Sequence, residues 1–191
     1  LQRMSELAAE NLRLLQLLNA SKSVVESVIL TEVIGNSHNP QRHTVTIDRG
    51  TDDEAYLGQP VLDAEGLMGQ LITVYDTHSI VLLISDARHA LPVKVLRNGV
   101  RSIAEGTSDF NRLTLRFVPP TADIEVGDQL VSSGLGGRFP AGYPVGEVSS
   151  IGKTADSEFI NVEVEPFASL NRSTHLLLVS SSGSREFLGA E

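Results

Sequence analysis

Cysteine and tryptophan are both missing from this chain of 191 residues, and aromatic residues make up only 5% of it. Without thiols there can be neither a disulfide framework nor a thiolate metal site, although the lack fits a reducing cytosol and a disulfide-free periplasm equally well. Few aromatics leave little to stack on bases or to wall a large cofactor pocket. Basic residues are also short: 15 Lys and Arg stand against 24 Asp and Glu, for a formal charge of -9. That is the wrong sign for neutralising phosphates or an anionic lipid surface, so no nucleic acid partner is expected. No run approaches the about eighteen apolar residues needed to span a bilayer, and no signal peptide is visible. The chain begins at Leu1 inside a helical pattern, so a membrane anchor upstream is expected. What is present is a 41% hydrophobic composition weighted towards Val, Leu and Ile, which predicts a folded, β-rich protein.

From Leu1 to about Val28 there is no Gly or Pro, and apolar residues recur at helical spacing. With Met4 at a heptad a position, Leu7 falls at d, Asn11 at a, Leu14 at d, Leu18 at a and Val25 at a. This predicts a dimerising coiled coil over residues 1–30. The alternative is a helix laid on its own domain, since Leu12, Leu15 and Leu17 widen the stripe. Asn11 favours the coiled coil, because a buried amide that must find a partner amide penalises wrong registers.

After Val28 the period becomes alternating, and Gly, Pro, Asn and Asp punctuate short Val/Ile/Thr/Leu runs. A dozen short strands are predicted between Val28 and Ser180, which suggests two small antiparallel β-barrels in a chymotrypsin-like arrangement without a catalytic triad. Pro119-Pro120 cannot continue a central strand, so the barrels are expected at 31–110 and 111–180, with a flexible tail at 181–191. A faint repeat supports two barrels: Gly58-Gln-Pro-Val-Leu leads to Gly69-Gln-Leu, as Gly127-Asp-Gln-Leu-Val leads to Gly146-Glu-Val. Duplication and chance likeness between small barrels both account for it.

Such an architecture could hide a serine hydrolase, which is the alternative function. The residues argue against it. Ser133 lies in Ser-Ser-Gly-Leu-Gly-Gly, which is neither the Gly-Asp-Ser-Gly-Gly of those proteases nor a Gly-x-Ser-x-Gly elbow. Asp76, His78, Asp86 and His89 lack the spacing of an integral zinc site, and the glycine loop lacks the Lys and the helix of a phosphate cradle. No catalytic residue, metal, cofactor or small-molecule substrate is expected.

The segment from Ser132 to Val148 reads SSGLGGRFPAGYPVGEV and resembles the most distinctive motif of the rod shape-determining MreC family. Asp48-Arg-Gly, Gly58-Gln-Pro-Val and Gly66-Leu-Met-Gly-Gln70 resemble its earlier signature in the same order. Asp53-Glu54 departs from it, standing where the family commonly has Asp-Gly. The resemblance implies a non-enzymatic scaffold of cell-wall elongation at the periplasmic face of the bacterial inner membrane, self-associating as a homodimer or higher assembly. It implies the company of MreB, MreD, RodZ and RodA, and a class B penicillin-binding transpeptidase that the scaffold positions or activates. A protein-interaction loop is expected at Leu135, Phe139 and Tyr143, on a backbone shaped by glycines and fixed by Pro140 and Pro144. The pattern leaves open whether Phe139 and Tyr143 face a partner or fill the barrel mouth.

Overall fold

The computed structural model describes residues 2–18, 25–137, 139–153 and 155–181. A helix, α1 (Gln2–Leu18), precedes twelve strands: β1 (Val25–Asn36), β2 (Thr44–Ile47), β3 (Pro60–Leu62), β4 (Leu67–Val74), β5 (Ser79–Leu83), β6 (Ala90–Val95), β7 (Arg101–Asp109), β8 (Arg112–Val118), β9 (Gln129–Ser132), β10 (Pro144–Gly152), β11 (Ile160–Pro166) and β12 (His175–Ser181). The strands follow from alternation: in β2 and β6, buried and outward residues take turns, as a half-buried pleated surface requires. All ladders are antiparallel, and they close into two barrels of six strands, ordered β1-β12-β3-β4-β5-β2 and β10-β11-β8-β7-β6-β9. Closure pairs the strands around each ring, so neither barrel presents a whole edge strand.

The boundary expected between residues 110 and 111 is corrected. β6 and β7, at Ala90–Asp109, belong to the second barrel, and β12 returns from beyond it to close the first. The second barrel is thus an insert in the first. Pro119-Pro120 does break a strand, but inside the second barrel, just after β8.

The helix expected to reach Val28 is also shorter. α1 ends at Leu18, and Val25 to Val28 run in β1, where Val25 pairs with Ser181 and Val28 with Val179. The absence of Gly and Pro allowed a helix there. The β-branched run and a ladder along β12 make strand the better state. Residues 19–24, between the helix and β1, and the tail at 182–191 lie outside the described residues.

Side chains join the barrels at two places. Asp86, between β5 and β6, accepts the backbone N–H of His43 through Oδ2 at 2.9 Å, while the His43 ring stacks on Phe110 of the β7–β8 turn with centroids 3.9 Å apart. Asp63, in the β3–β4 turn, accepts Glu65 and Gly66 N–H through Oδ1, and Ser169 N–H and the Ser173 hydroxyl through Oδ2. The turn is thereby tied to the segment that leads from β11 back to β12.

Candidate functional site

α1 rests on the first barrel. Leu12 packs on its core, and the Asn11 amide donates to the carbonyls of Asp63 at 3.1 Å and Ala64 at 3.2 Å. The amide expected to select a coiled-coil register thus has acceptors in its own chain. Met4 and Leu7 stay partly exposed, Leu7 at 52%, beside Leu30, Ala64 and Leu177 of the barrel. Leu14 and Leu18 lie in the helix, but their side chains are outside the described residues. Val25 cannot share a helical seam with the others, because it belongs to β1.

The glycine loop between β9 and β10 is folded inward. The Ser132 hydroxyl donates to the Pro140 carbonyl at 2.6 Å and accepts the Tyr143 N–H at 2.9 Å, drawing the far side of the loop onto β9. Gly134 has φ of 78°, and a Cβ there would meet the Cβ of Ala141 at 3.1 Å, so this crossing needs glycine. The clip turns both rings into the protein: Phe139 is 4% exposed, edge-on to His89, and Tyr143 is 0% exposed. Burial, and then the nearby Tyr56 phenol, push the Tyr143 hydroxyl well above its ordinary pKa. Phe139 and Tyr143 are therefore core residues rather than anchors for a partner. Of the three, Leu135 stays outside, at 47% exposure.

Catalytic geometry does not emerge among the described residues. The Ser133 hydroxyl accepts Leu135 N–H at 3.3 Å, as a turn serine does. A serine and a histidine do meet elsewhere, His43 Nδ1 lying 2.7 Å from Ser85 Oγ, both residues being buried. Asp86, the neighbouring acid, bonds the His43 backbone and not its ring, and Arg88 takes both of its oxygens at 3.0 and 2.9 Å. Burial alone would raise the Asp86 carboxyl, but hydrogen bonds from Arg88 and from the His43 backbone bring it down to about 2. The Ser85–His43 contact lacks the acid-oriented imidazole of a triad and serves the joint between the barrels. Among the described residues no cluster of His, Asp and Glu could hold a metal ion.

An exposed aromatic pair lies on the second barrel. Leu113, Leu115 and Val118 of β8 point inward, whereas Phe117, where alternation requires an inward side chain, is 66% exposed. The reason is a β-bulge: Val118 pairs with Ile160 and Leu115 with Val162, so β8 uses an additional residue, and Phe117 takes up the slack at φ of 53°. A left-handed conformation costs a non-glycine residue about 1–2 kcal/mol, which makes the turned-out ring an expensive feature to keep. Phe159, 40% exposed, meets it edge-on with centroids 5.4 Å apart, and the Arg116 guanidinium lies 5.8 Å from the Phe117 centroid while paired with Glu105. Ile103, opposite Arg116 on β7, extends the surface. The apolar doublet Phe117-Val118, which breaks the period of two, was the available signal for this site.

A bulged barrel, an inward glycine loop and an outward aromatic patch suit a binding protein. Comparison with known proteins identifies the family. The model of the family described as "Rod shape-determining protein MreC, barrel core" matches residues 33–180. The cell shape-determining protein MreC of Haemophilus influenzae is 44% identical over 176 residues, covering 92% of this chain and 50% of that protein. The crystal structure of MreC from Pseudomonas aeruginosa superposes with a TM-score of 0.79 at 49% identity, covering 81% of this chain and 100% of that one. MreC in a complex with the penicillin-binding protein PBP2 from Helicobacter pylori superposes with a TM-score of 0.61 at 25% identity, covering 81% of this chain and 98% of that one. The chain spans about half the length of the curated relatives it matches. With the family's barrel core matched over residues 33–180, the chain belongs to the MreC family of rod shape-determining proteins.

Proposed function

We propose that this chain is a non-enzymatic scaffold of bacterial cell-wall elongation, which binds a class B penicillin-binding transpeptidase at the periplasmic face of the inner membrane and positions or activates it. The observation that carries the reading is the Phe117–Phe159 pair with Arg116 beside it, since exposed aromatics and arginine are the residue types that dominate binding energy at protein interfaces. The complex formed by the Helicobacter pylori relative supports a partner of this class. Self-association belongs to the same proposal, through the Met4 and Leu7 face of α1 with Leu14 and Leu18, and without Val25. MreB, MreD, RodZ and RodA are the remaining companions that the family resemblance implies.

The test is calorimetric titration of the protein with the periplasmic part of a class B penicillin-binding transpeptidase. Phe117→Ala should weaken binding by about 2 kcal/mol, as aromatic hot spots do, while thermal stability stays nearly level, since Ala keeps the Cβ and with it the left-handed strain. Unaltered affinity in the folded variant would remove this patch from the interface.

A further inference from the structure

A groove of about 960 Å³ opens between the barrels, walled by the end of β1, the 37–43 loop, the β7–β8 turn and residues 170–174. Its lining is more polar than apolar, with the buried Val45, Leu83 and Leu170 forming an apolar floor beside His43. Elsewhere, Arg49, Arg88, Arg97, Arg112 and Arg116 are each tied to a carboxylate. Arg42 and Arg172 have no ion-pair partner among the described residues, as is also true of Arg3 and Arg101, but of these four only Arg42 and Arg172 line this groove. The carboxylate beside them, that of Asp109, accepts the N–H of Asn111 at 2.9 Å through Oδ1. A chain of formal charge -9 therefore keeps an unneutralised positive site in its inter-barrel groove.

We propose that this groove binds an acidic peptide in extended conformation, with its carboxylates on Arg42 and Arg172. The guanidinium fork matches a carboxylate in two parallel hydrogen bonds. Asn36, Asn39, Asn111 and Asn171 add donors and acceptors together, which is what a peptide backbone requires. The Asn39 carbonyl oxygen already accepts the Gln41 N–H at 2.9 Å, but a phosphate, which chiefly accepts, would leave those of Asn36, Asn111 and Asn171 unused. Side chains of an extended peptide alternate, so carboxylates directed at the arginines leave intervening aliphatic groups for the floor and for the outward Ile34. The site lies apart from the Phe117 patch and stands without it.

The experiment is selection from a display library of random short peptides on the wild-type protein, followed by fluorescence anisotropy with the selected peptide. Acidic sequences should be enriched, and Arg42→Gln with Arg172→Gln should raise Kd by about tenfold, the sum of two exposed ion pairs. Asp109→Asn should tighten binding, and Phe117→Ala should leave it unchanged. Because both arginines are exposed, the double variant should melt with the wild type; if it does not, Arg42→Lys with Arg172→Lys, which keeps charge and loses the fork, serves in its place and should also weaken binding. The proposal is overturned if no peptide is selected, if the selected peptides are not acidic, or if the arginine variants bind as the wild type does. Displacement by millimolar inorganic phosphate would also overturn it, reducing the groove to an unselective anion site.

Discussion

The two barrels are one design executed twice, with different closures. Taking β12 as the counterpart of β6, the first barrel's strands run in the same cyclic order as those of the second. Equivalent residues bond alike. Gly58 N–H donates to the Leu71 carbonyl as Gly127 N–H does to that of Val148, and the returning bonds reach Gln59 and Asp128. Gly69 and Gly146 stand where a Cβ would fall 1.9 Å from the Leu82 carbonyl oxygen and 2.5 Å from that of Glu165. Asp63 and Ser132 each clip the connection that follows, a short turn in the first barrel and the glycine loop in the second. What differs is the origin of the closing strand, the length of that connection and the charge at Gln59/Asp128. The repeated backbone bonds are what a barrel requires, and the parts that differ lie outside that shared frame.

The sharpest way to break the comparison is to end the chain at Thr174. The first barrel then loses β12, with which both β1 and β3 pair, while the second keeps all six strands. Amide NMR should show the second barrel's dispersed signals persisting as the first barrel's collapse; loss of both would mean that they fold as one cooperative unit. Next in size, Tyr143→Ala empties a fully buried site beneath the glycine loop and should cost about 3–5 kcal/mol in chemical denaturation, whereas Leu135→Ala on the same loop should cost under about 0.5 kcal/mol.

At the joint, Asp86 stands at about 2 against an ordinary 3.8. A carboxyl depressed on folding contributes stability that is complete above its unfolded pKa and is lost as pH falls through the folded one. Asp86→Asn should therefore cost up to about 2 kcal/mol near neutral pH and cost little near pH 2, read from denaturation midpoints across that range. The Gln59/Asp128 difference predicts a smaller contrast. Arg97, by hydrogen bonding, holds the Asp128 carboxyl below its ordinary value, whereas Gln59 donates to Ser180 Oγ and cannot titrate. Asp128→Asn should cost about 0.5–1 kcal/mol at neutral pH, with the loss fading under acid, and Gln59→Ala should show no such acid dependence. Smallest of all, Glu54 occupies φ of 64° in the turn where the family commonly has glycine, and Glu54→Gly should stabilise by about 0.5–1 kcal/mol in thermal melts.

Strand after strand was legible because half-buried ladders alternate, and the dozen expected between Val28 and Ser180 correspond to β1 through β12. Which barrel each strand joins was not legible. β1 and β12 meet across nearly the whole chain, and neither carries a local mark of the other. The end of α1 was overrun because no glycine or proline stops it, and the strand that begins at Val25 exists only through its distant partner. For Phe139 and Tyr143, composition set the shape of the loop, while the Ser132 hydroxyl, unremarkable in sequence, decided which way the rings face. Phe117 was missed for the opposite reason: its strand was found, but the bulge that turns it outward depends on register with β11.

The insertion of one barrel in the other has a mechanical consequence. Val25 and Ser181 are adjacent at the same end of the β1–β12 ladder, so tension applied between them would draw that ladder open from one end. Antiparallel bonds lie across the strands, and in this geometry they yield one pair after another rather than together. Under such tension the first barrel would open at low force, while the second, strung between β5 and β12, would carry load only after its host had parted.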